Sequence, residues 1–313
     1  MYSLPADPPA FFGPLPVKIQ TNLSGVATLL EPERVTTLPP GAREQRLRLD
    51  IGNNAFYHGE VTRFIYDDSE IQNLRLGEAY GQAWGEWSWQ ASLVQRTGGF
   101  LDPLIRVWHQ NVVPFTDSVF SKIANGQVRS EVRDGATVFQ DGGSAAALTS
   151  VTLSARRPVW PGVSARAVVK LPVRGREALL DSGAVDLGVG LLGEVRLTPR
   201  WSAHANLNLV QAGAVQVAPL TQGQRWLTGS VIAAEFQSTP RTNLVVQMED
   251  TSFPFNRGLR GRSSRRQQMS FGAWHQADAK TRWHVSVAEN IYPFLVTSYT
   301  PDIMLSLGIV RRR

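Results

Sequence analysis

Apolar and polar residues alternate along most of this chain. Between residues 183 and 197, every second position is apolar at Val185, Leu187, Val189 and Leu191, and the residues between them are glycine or aspartate. A period of two places successive side chains on opposite faces of a β-strand. The same pattern predicts 12 strands, at residues 44–53, 70–80, 83–95, 146–155, 163–173, 184–197, 201–211, 225–236, 241–250, 267–276, 281–290 and 302–312. Strands of this length with one apolar face are typical of a barrel wall between lipid and a wet lumen.

The connections between these strands are alternately short and long. The short ones are residues 81–82, 157–162, 198–200, 238–240 and 277–280, and the long ones are 54–69, 96–145, 174–183, 212–224, 251–266 and 291–301. Membrane barrels have short periplasmic turns and longer external loops, whereas a soluble sandwich has no reason to sort its loops in this way. The sequence therefore predicts an all-β fold. It is a transmembrane antiparallel up-and-down barrel of about 12 strands over residues 44–313, with a long external loop at 96–145.

Residues 1–43 do not fit the strand pattern. This stretch contains Pro5, Pro8, Pro9, Pro14 and Pro16, and proline at this density is incompatible with a central strand or a helix. We expect an extended N-terminal segment that is either periplasmic or inserted into the lumen. No basic segment followed by an apolar core precedes Pro9, so no signal peptide is visible, and we expect the chain to be a mature form.

Composition narrows the function classes. The 313 residues contain no run of 18 apolar residues, so a transmembrane helix is not predicted. They contain no cysteine, which excludes disulfides, thiolate metal sites and cysteine nucleophiles. The formal charge of +6 and pI near 10.0 favour anionic partners, namely lipid headgroups or acidic solutes. We expect the lipid bilayer and other envelope proteins as partners. Nucleic acid is not expected, because no recognition motif for it is present.

The alternation also assigns side chains to the lumen. The predicted lumen-lining residues are Arg46, Arg48, Arg75, Glu86, Arg166, Lys170, Asp186, Glu194, Arg196, His204, Asn206, Asn208, Glu235, Gln247, Glu249, Arg282 and His284. One interpretation is a narrow, arginine-lined pore selective for small anionic solutes, because rings of fixed charge set selectivity. The other is a closed structural barrel, filled by mutual ion pairs, that organises the envelope. A barrel of this size is narrow enough for either, and the sequence leaves both open.

Aromatic residues lie near the ends of several predicted strands. The candidates for the membrane interface are Trp87, Trp89, Trp201, Trp226, Phe236 and Trp283. Indole rings favour the headgroup zone because they combine an apolar body with a polar edge. The alternative is that these rings form the core of a soluble β-protein.

The 96–145 loop is the candidate plug or gate. Leu101, Leu104, Ile105 and Trp108 have helical spacing, so the sequence predicts a short helix folded into the barrel mouth. The residues assigned to this gate are Phe100, Leu101, Asp102, Trp108 and His109.

Catalytic and metal chemistry find little support in the sequence. His284 and Ser286 have the spacing of a barrel phospholipase pair, but the alternation turns both toward the lumen, whereas lipid substrates arrive from outside. Lipid enzymology is therefore the weakest of three hypotheses, and no catalytic residue is proposed. The five histidines are scattered, so neither a metal site nor a cofactor is predicted.

Several local strings resemble those of one bacterial family. They are Phe12-Gly13-Pro14-Leu15-Pro16-Val17, Thr97-Gly98-Gly99-Phe100-Leu101-Asp102, Lys170-Leu171-Pro172, Ser182-Gly183 with Asp186 and Gly188, and Thr300-Pro301-Asp302. They are similar to a domain-of-unknown-function family of predicted outer-membrane β-barrels of about this length. The chain departs from the family pattern at residues 173–177, and it ends in three arginines rather than an aromatic residue. The resemblance implies an outer-membrane location and a barrel, and it implies no activity.

Overall fold

A computed structural model describes most of the chain. The described residues are 11–19, 21, 30–60, 63–111, 126–134, 137–173, 180, 182–214, 216–217, 220–221, 225–252, 265–289 and 302–313. The elements are β1 Arg43–Glu60, β2 Arg63–Gln82, β3 Gly85–Thr97, α1 Asp102–Asn111, β4 Arg129–Asp134, β5 Thr137–Asp141, β6 Ala145–Trp160, β7 Val163–Pro172, β8 Asp186–Thr198, β9 Trp201–Gln211, β10 Gln216–Val217, β11 Leu220–Thr221, β12 Trp226–Thr239, β13 Thr242–Ser252, β14 Arg265–Gln276, β15 Thr281–Glu289 and β16 Ile303–Arg312.

Twelve of these strands form a closed antiparallel barrel. The order around the wall is β1, β2, β3, β6, β7, β8, β9, β12, β13, β14, β15, β16, and β16 pairs back onto β1 from Glu44↔Arg312 to Asn53↔Ile303. Closure removes the exposed sheet edges that would otherwise remain unpaired. The predicted fold class and strand count are therefore confirmed.

The two ends of the barrel differ. Five short turns and the wall's first and last residues, Arg43 and Arg312, share one end, which we call the turn end; the opposite end is the loop end. The turn between β14 and β15 is closed by the Asp278 carboxylate, which accepts hydrogen bonds from the backbone N–H of Lys280 (2.7 Å) and Thr281 (2.8 Å). The bond from Lys280, helped by that from Thr281, lowers the pKa of Asp278 below its ordinary value.

Two predicted connections are shorter than the sequence pattern suggested. Most of the predicted 54–69 loop is strand, because β1 and β2 continue to pair as far as Glu60↔Arg63, and β4 pairs with the same extension of β2. The predicted 157–162 connection is mostly the end of β6, which continues past a register shift between Pro158 and Trp160. A proline and an irregularity hid this strand end from the alternation.

The outer face of the wall is apolar. Its exposed residues include Leu47, Leu49, Leu76, Val185, Leu187, Val189, Leu191, Leu207, Ile232, Leu244, Val246, Val287, Leu305, Leu307 and Ile309. Val189 and Leu191, for example, are 54% and 50% exposed. A continuous band of exposed apolar residues is rare on a surface that faces water. Such a band is the lipid-facing surface of an outer-membrane barrel. Among the described helices, none has the length and apolarity needed to cross a membrane.

Candidate functional site: the barrel lumen

The N-terminal segment enters the lumen along β12, β13 and β14. The Glu235 carboxylate, near the turn end of β12, accepts hydrogen bonds from the backbone N–H of Phe12 (2.8 Å) and Gly13 (3.0 Å). Further toward the loop end, Gln247 Oε1 accepts from the backbone N–H of Leu15 at 2.9 Å. Trp274 Nε1 donates to the Gly13 carbonyl at 3.2 Å. Residues 11–19 therefore form an outward leg whose backbone groups are satisfied by lumen-facing side chains.

Residues 30–40 return toward the turn end along β9, β7 and β3. Asn206 accepts from the backbone N–H of Glu33 (2.7 Å) and donates to its carbonyl (3.2 Å). Ser164 Oγ donates to the Val35 carbonyl at 2.8 Å, and Glu86 accepts from the backbone N–H of Leu38 at 2.9 Å. We call residues 11–19 and 30–40 together the inserted segment.

The two legs of the inserted segment touch at a glycine. Gly13 has a φ of +93°, and a Cβ added there would lie 2.6 Å from Arg34 Cβ. Glycine suits this position for two reasons: it adopts positive φ without strain, and it has no side chain that would clash with Arg34. The inserted segment is thus a packed structure with its own internal contact.

Two apolar clusters seat the inserted segment in the wall. One joins Phe12, Leu15 and Val17 to Ala233, Val245, Trp274, Ala288, Met304 and Val310. The other joins Leu30 to Val168, Val210, Ala212 and Leu227. These wall residues are on the inner face, so the barrel has an apolar core in part of its lumen, supplied by both wall and insert.

Charged side chains fill the space that the apolar clusters leave. In the first network, which we call the Glu31 cluster, Glu31 lies 2.9 Å from Arg48, 4.0 Å from Lys18 and in contact with Arg75. Asp50 lies 3.0 Å from Arg48 and 3.6 Å from Arg75. Three cations therefore share two carboxylates.

The second network, the Glu44 cluster, is centred on one carboxylate of β1. Glu44 lies 3.2 Å from Arg34, 3.0 Å from Arg46 and 2.9 Å from Arg282. Those three guanidinium groups come from the inserted segment, β1 and β15. A single carboxylate thus holds together the start of the wall, its penultimate strand and the insert.

Two further glutamates extend the Glu44 cluster. Glu86 lies 2.8 Å from Arg156 and 3.4 Å from Arg46. Glu33 lies 3.4 Å from Arg156, 3.6 Å from Arg166 and 3.8 Å from Arg46. Taken together, the two clusters contain eight cations and five carboxylates among the described residues. The ion pairs of the lumen therefore leave a positive excess.

A cavity of about 90 Å³ lies between the inserted segment and the wall at β1, β2 and β15. Its cationic lining is Arg34, Arg46, Arg48, Arg75, Arg156 and Arg282. Its apolar lining includes Phe12, Pro14, Pro16, Pro32, Trp274 and Val310. Three glutamates, Glu31, Glu33 and Glu44, also line the cavity. The insert therefore narrows the lumen, and the remaining space is bordered by six arginines, three glutamates and several apolar side chains.

The predicted lumen-lining residues fall into three groups. Those that border or belong to the two charge clusters are Arg46, Arg48, Arg75, Glu86, Arg166, Arg282 and His284. Those that hold or neighbour the insert are His204, Asn206, Asn208, Glu235, Gln247 and Glu249. Those nearer the ends are Lys170, paired with Asp186 at 3.2 Å, and Glu194, 3.8 Å from His204; Arg196 lies over the Phe11 ring at 5.1 Å.

The predicted gating helix exists, but it begins on the outer face of the wall. Leu101 and Ile105 pack with Ile303 and Ile51, which share a strand face with the exposed Leu49. A lumenal gate at this position is therefore not what the structure shows. The helical spacing indicated an amphipathic helix, but it could not tell which side of the wall the apolar stripe would meet.

Of the remaining gate residues, Asp102 anchors the start of α1 to the wall. Asp102 accepts hydrogen bonds from Asn53 Nδ2 (2.7 Å) and from the backbone N–H of Gly126 (2.7 Å). Phe100, which precedes α1, is 64% exposed. On α1 itself, the apolar side chains of Leu104 and Val107 are 60% and 56% exposed on the side away from the wall. Trp108 and His109 lie on α1, and their side chains are outside the described ones.

Several of the predicted interface aromatics pair at the turn end. Trp87 stacks on Tyr80 at 4.4 Å, Trp201 lies 4.7 Å from Phe236, and Trp283 lies 5.1 Å from His275. Trp226, 56% exposed, begins β12 at the loop end, and Trp89 lies two residues further along β3 than Trp87. Trp160 at the β6–β7 turn is 71% exposed and lies at the same end as these aromatic pairs, although it is not among the predicted interface residues.

His284 contacts Ser306 of β16 and not Ser286, the serine with which its spacing pairs it; Ser286 Oγ is buried without a hydrogen-bond partner among the described residues. Ser306 Oγ donates to Asp50 at 2.6 Å and lies 3.3 Å from His284 Nε2. Serine therefore lies between the acid and the histidine, whereas a catalytic triad requires the histidine in the middle. Over the described part of the chain, no group of three potential metal ligands occurs.

Seven of the thirteen charged residues in the two clusters were not predicted from the sequence. Glu44 and Asp50 are two of them, although they share a strand face with the predicted Arg46 and Arg48. Lys18, Glu31, Glu33 and Arg34 lie in the proline-rich segment, where no periodicity assigns a face. Arg156 was missed because the predicted strand ended at residue 155. Its register opposite Glu86 and Arg166 would have identified it, since both partners were already assigned to the lumen.

Comparison with known proteins places this fold in a family. Residues 6–312 match the family model described as "Protein of unknown function (DUF3187)", which confirms the resemblance seen in the sequence. Among curated proteins, none matches the chain.

Solved structures with a similar fold are outer-membrane barrels. The COG4313 outer membrane channel from Pseudomonas putida F1 is 13% identical over 91% of this chain and 100% of that chain, with a TM-score of 0.56. The NanC porin is 8% identical over 86% of this chain and 99% of that one, with a TM-score of 0.42. The KdgM porin is 10% identical over 86% and 98%, with a TM-score of 0.41. At this level of identity, the similarity to the Pseudomonas channel is one of fold.

Proposed function

Since the chain belongs to the DUF3187 family of proteins of unknown function, we propose a function from its lumen: it is a bacterial outer-membrane channel that passes small anionic solutes through a lumen narrowed by its own N-terminal segment. The observation that carries this proposal is the positive excess of the Glu31 and Glu44 clusters around the cavity. Fixed charges lining a narrow passage set the sign of the ion that enters it.

The buried arginines support passage of anions for an electrostatic reason. The Arg75, Arg156 and Arg166 side chains are only 2%, 3% and 2% exposed, so their charges act in a medium less screened than bulk water. Their carboxylate partners neutralise part of this field and leave the remainder to attract an anion. The guanidinium groups have five N–H donors each, so an arginine can bind a passing anion while keeping its glutamate.

The channel is tested by electrical recording of the full-length protein in planar bilayers. With a salt gradient across the bilayer, we expect a reversal potential of the sign that marks anion preference. Arg46→Gln should reduce that preference, because Arg46 is the most open arginine of the Glu44 cluster at 29% side-chain exposure. Complete absence of conductance, or a preference for cations, would rule out the proposal.

The second candidate function is a closed barrel that organises the envelope. The observation in its favour is the inserted segment itself, whose backbone is hydrogen-bonded to Glu235, Gln247, Asn206 and Glu86. The same recording separates the two functions, since a closed barrel conducts at no voltage. The channel is the better supported of the two, because the lumen retains a cavity with a charge excess that a purely structural filling does not require.

A further inference from the structure

We propose that the lumen cavity is a binding site for a small carboxylate that carries a flat apolar body, with aromatic carboxylic acids as the fitting class. This inference rests on the proposed function, because it names the kind of anion that the channel would select. Binding is nevertheless measurable without conductance, so the two can fail separately.

The carboxylate end of such a ligand fits the cationic lining of the cavity. Around Glu44, the guanidinium groups of Arg34, Arg46 and Arg282 converge on a single carboxylate, at 3.2, 3.0 and 2.9 Å. Arg46 also lies near Glu86 and Glu33, but the whole Glu44 cluster has five guanidinium groups and three carboxylates, an excess of positive charge that a further carboxylate would reduce. Arginine also presents paired N–H groups that match the planar geometry of a carboxylate.

Donors for a second carboxylate remain available in the lining. The Nε atoms of Arg156 and Arg282 are buried and have no hydrogen-bond partner. The side chain of Arg156 is 3% exposed, so water from outside the lumen does not readily satisfy it. A buried donor without an acceptor costs free energy, because the hydrogen bond that it made to water in the unfolded chain is not replaced. A ligand carboxylate that accepted from either Nε would recover part of this cost.

The cavity lining also contains ring side chains, those of Phe12, Pro14, Pro16 and Trp274. The Arg282 guanidinium already lies over two of these rings, 5.8 Å from the Phe12 centroid and 5.5 Å from the Trp274 centroid. Arginine and aromatic surfaces arranged in this way bind planar groups by stacking as well as by charge. A ligand ring would therefore lie against these residues while its carboxylate faced the arginines.

Polarity argues against simpler ligands. A small, strongly hydrated anion such as phosphate would lose water against the apolar rings and gain nothing from them. An amine is disfavoured because six arginines outnumber three glutamates in the lining and leave it positively charged.

The test is calorimetric titration of the folded, full-length protein in detergent. Benzoate is the probe, and acetate, inorganic phosphate and benzylamine are the comparisons. We expect benzoate to bind at least about tenfold more tightly than acetate or phosphate, which corresponds to burial of one ring's worth of apolar surface, and we expect no binding of benzylamine. Equal binding of acetate and benzoate would overturn the aromatic part of the proposal, and absence of benzoate binding would overturn it entirely.

Variants assign the binding to this cavity. Arg282→Gln should weaken benzoate binding by about tenfold or more, since it removes a charged donor. Trp274→Leu should weaken benzoate but leave weak acetate binding unchanged. Arg265→Gln is the matched control, because Arg265 is 44% exposed and paired with Asp250 at the loop end. Heat-modifiable gel migration verifies that each variant is folded, and an equal loss in all three folded variants would contradict the assignment.

Conductance distinguishes the two proposals. If the protein binds benzoate but conducts no anions, the site stands and the channel function fails. If it conducts anions without benzoate affinity, the channel function stands and this site fails.

Discussion

The backbone N–H of Phe12 donates to the Glu235 carboxylate at 2.8 Å, across 223 residues of sequence. Glu235 is fully buried, and the same carboxylate also accepts from the Gly13 N–H and from Asn243 Nδ2 and lies 2.9 Å from His204 Nε2. One acidic side chain of β12 thus fixes the point at which the inserted segment enters the lumen.

Removing this carboxylate should loosen the insert. Glu235→Ala leaves the N–H groups of Phe12 and Gly13 buried without acceptors, and each such loss costs about 1–3 kcal/mol. We expect faster proteolytic cleavage within residues 11–19 and larger current fluctuations in bilayers. Glu194→Gln is the control, because Glu194 is 22% exposed and lies 3.8 Å from His204 without contacting the insert in any described hydrogen bond. Unchanged cleavage in Glu235→Ala would contradict the role of this residue.

Gly13→Ala should destabilise the insert through backbone strain and through a steric clash, and the same change at Gly41 measures the strain alone. The methyl group would require positive φ from alanine and would meet Arg34 Cβ at 2.6 Å. Gly41 has a similar φ of +80° but no neighbour within 4 Å of an added Cβ. Gly41→Ala therefore reports the backbone strain alone, about 1–3 kcal/mol. We expect a larger fall in thermal stability for Gly13→Ala, and equal falls would show that the contact with Arg34 is unimportant.

Neutralising Glu44 should shift ion selectivity in the direction opposite to Arg46→Gln. Glu44→Gln leaves Arg34, Arg46 and Arg282 without their shared charge, so the lumen becomes more positive and anion preference should rise. Reversal potentials measure this directly. Glu78→Gln is the comparison: Glu78 pairs with Arg43 on the outer face at the turn end, so its loss should leave selectivity unchanged. A lower anion preference in Glu44→Gln would count against the charge argument.

The location of α1 can be tested by site-directed spin labelling, which the absence of native cysteine makes straightforward. Leu104 and Val107 are 60% and 56% exposed on the side of α1 away from the wall. Labels introduced by Leu104→Cys or Val107→Cys should be accessible to oxygen, which partitions into lipid. They should be protected from a water-soluble nickel reagent. A label at Lys280→Cys, in a turn, provides the aqueous reference. Nickel accessibility at α1 equal to that at Lys280 would place the helix in water instead.

The alternation of apolar and polar residues was sufficient to predict the strands of the wall, but it could not predict the segment that fills the lumen. The alternation at Val185, Leu187 and Val189 identifies a strand with a lipid face because each side chain's direction follows from its neighbour's. No such rule applies to residues 11–40, where prolines break the period and the face of Glu31 or Arg34 depends on contacts far away in sequence. Whether the charges would pair or line an opening was therefore undecided.

The sequence also could not predict whether α1 packs on the inner or the outer side of the wall. Leu101 and Ile105 give an apolar stripe, but the outer surface of a membrane barrel is as apolar as the interior of a soluble protein. An apolar stripe consequently does not choose between them. The polar contact of Asp102 with Asn53 settles the side, and it joins residues 49 positions apart.

The seam between β1 and β16 bears on the order in which the molecule is assembled. It joins the first and last strands of the wall, so the wall cannot close until the final strand is present. Pairings that distant in sequence form slowly, because the entropy of a long connecting loop is lost before any contact is gained. The inserted segment precedes β1 and carries Phe12, whose backbone N–H meets Glu235 of β12 and whose ring meets Arg282 of β15. The lumen's contents are therefore synthesised before their enclosure, and the wall can be built around them without any threading through a finished barrel.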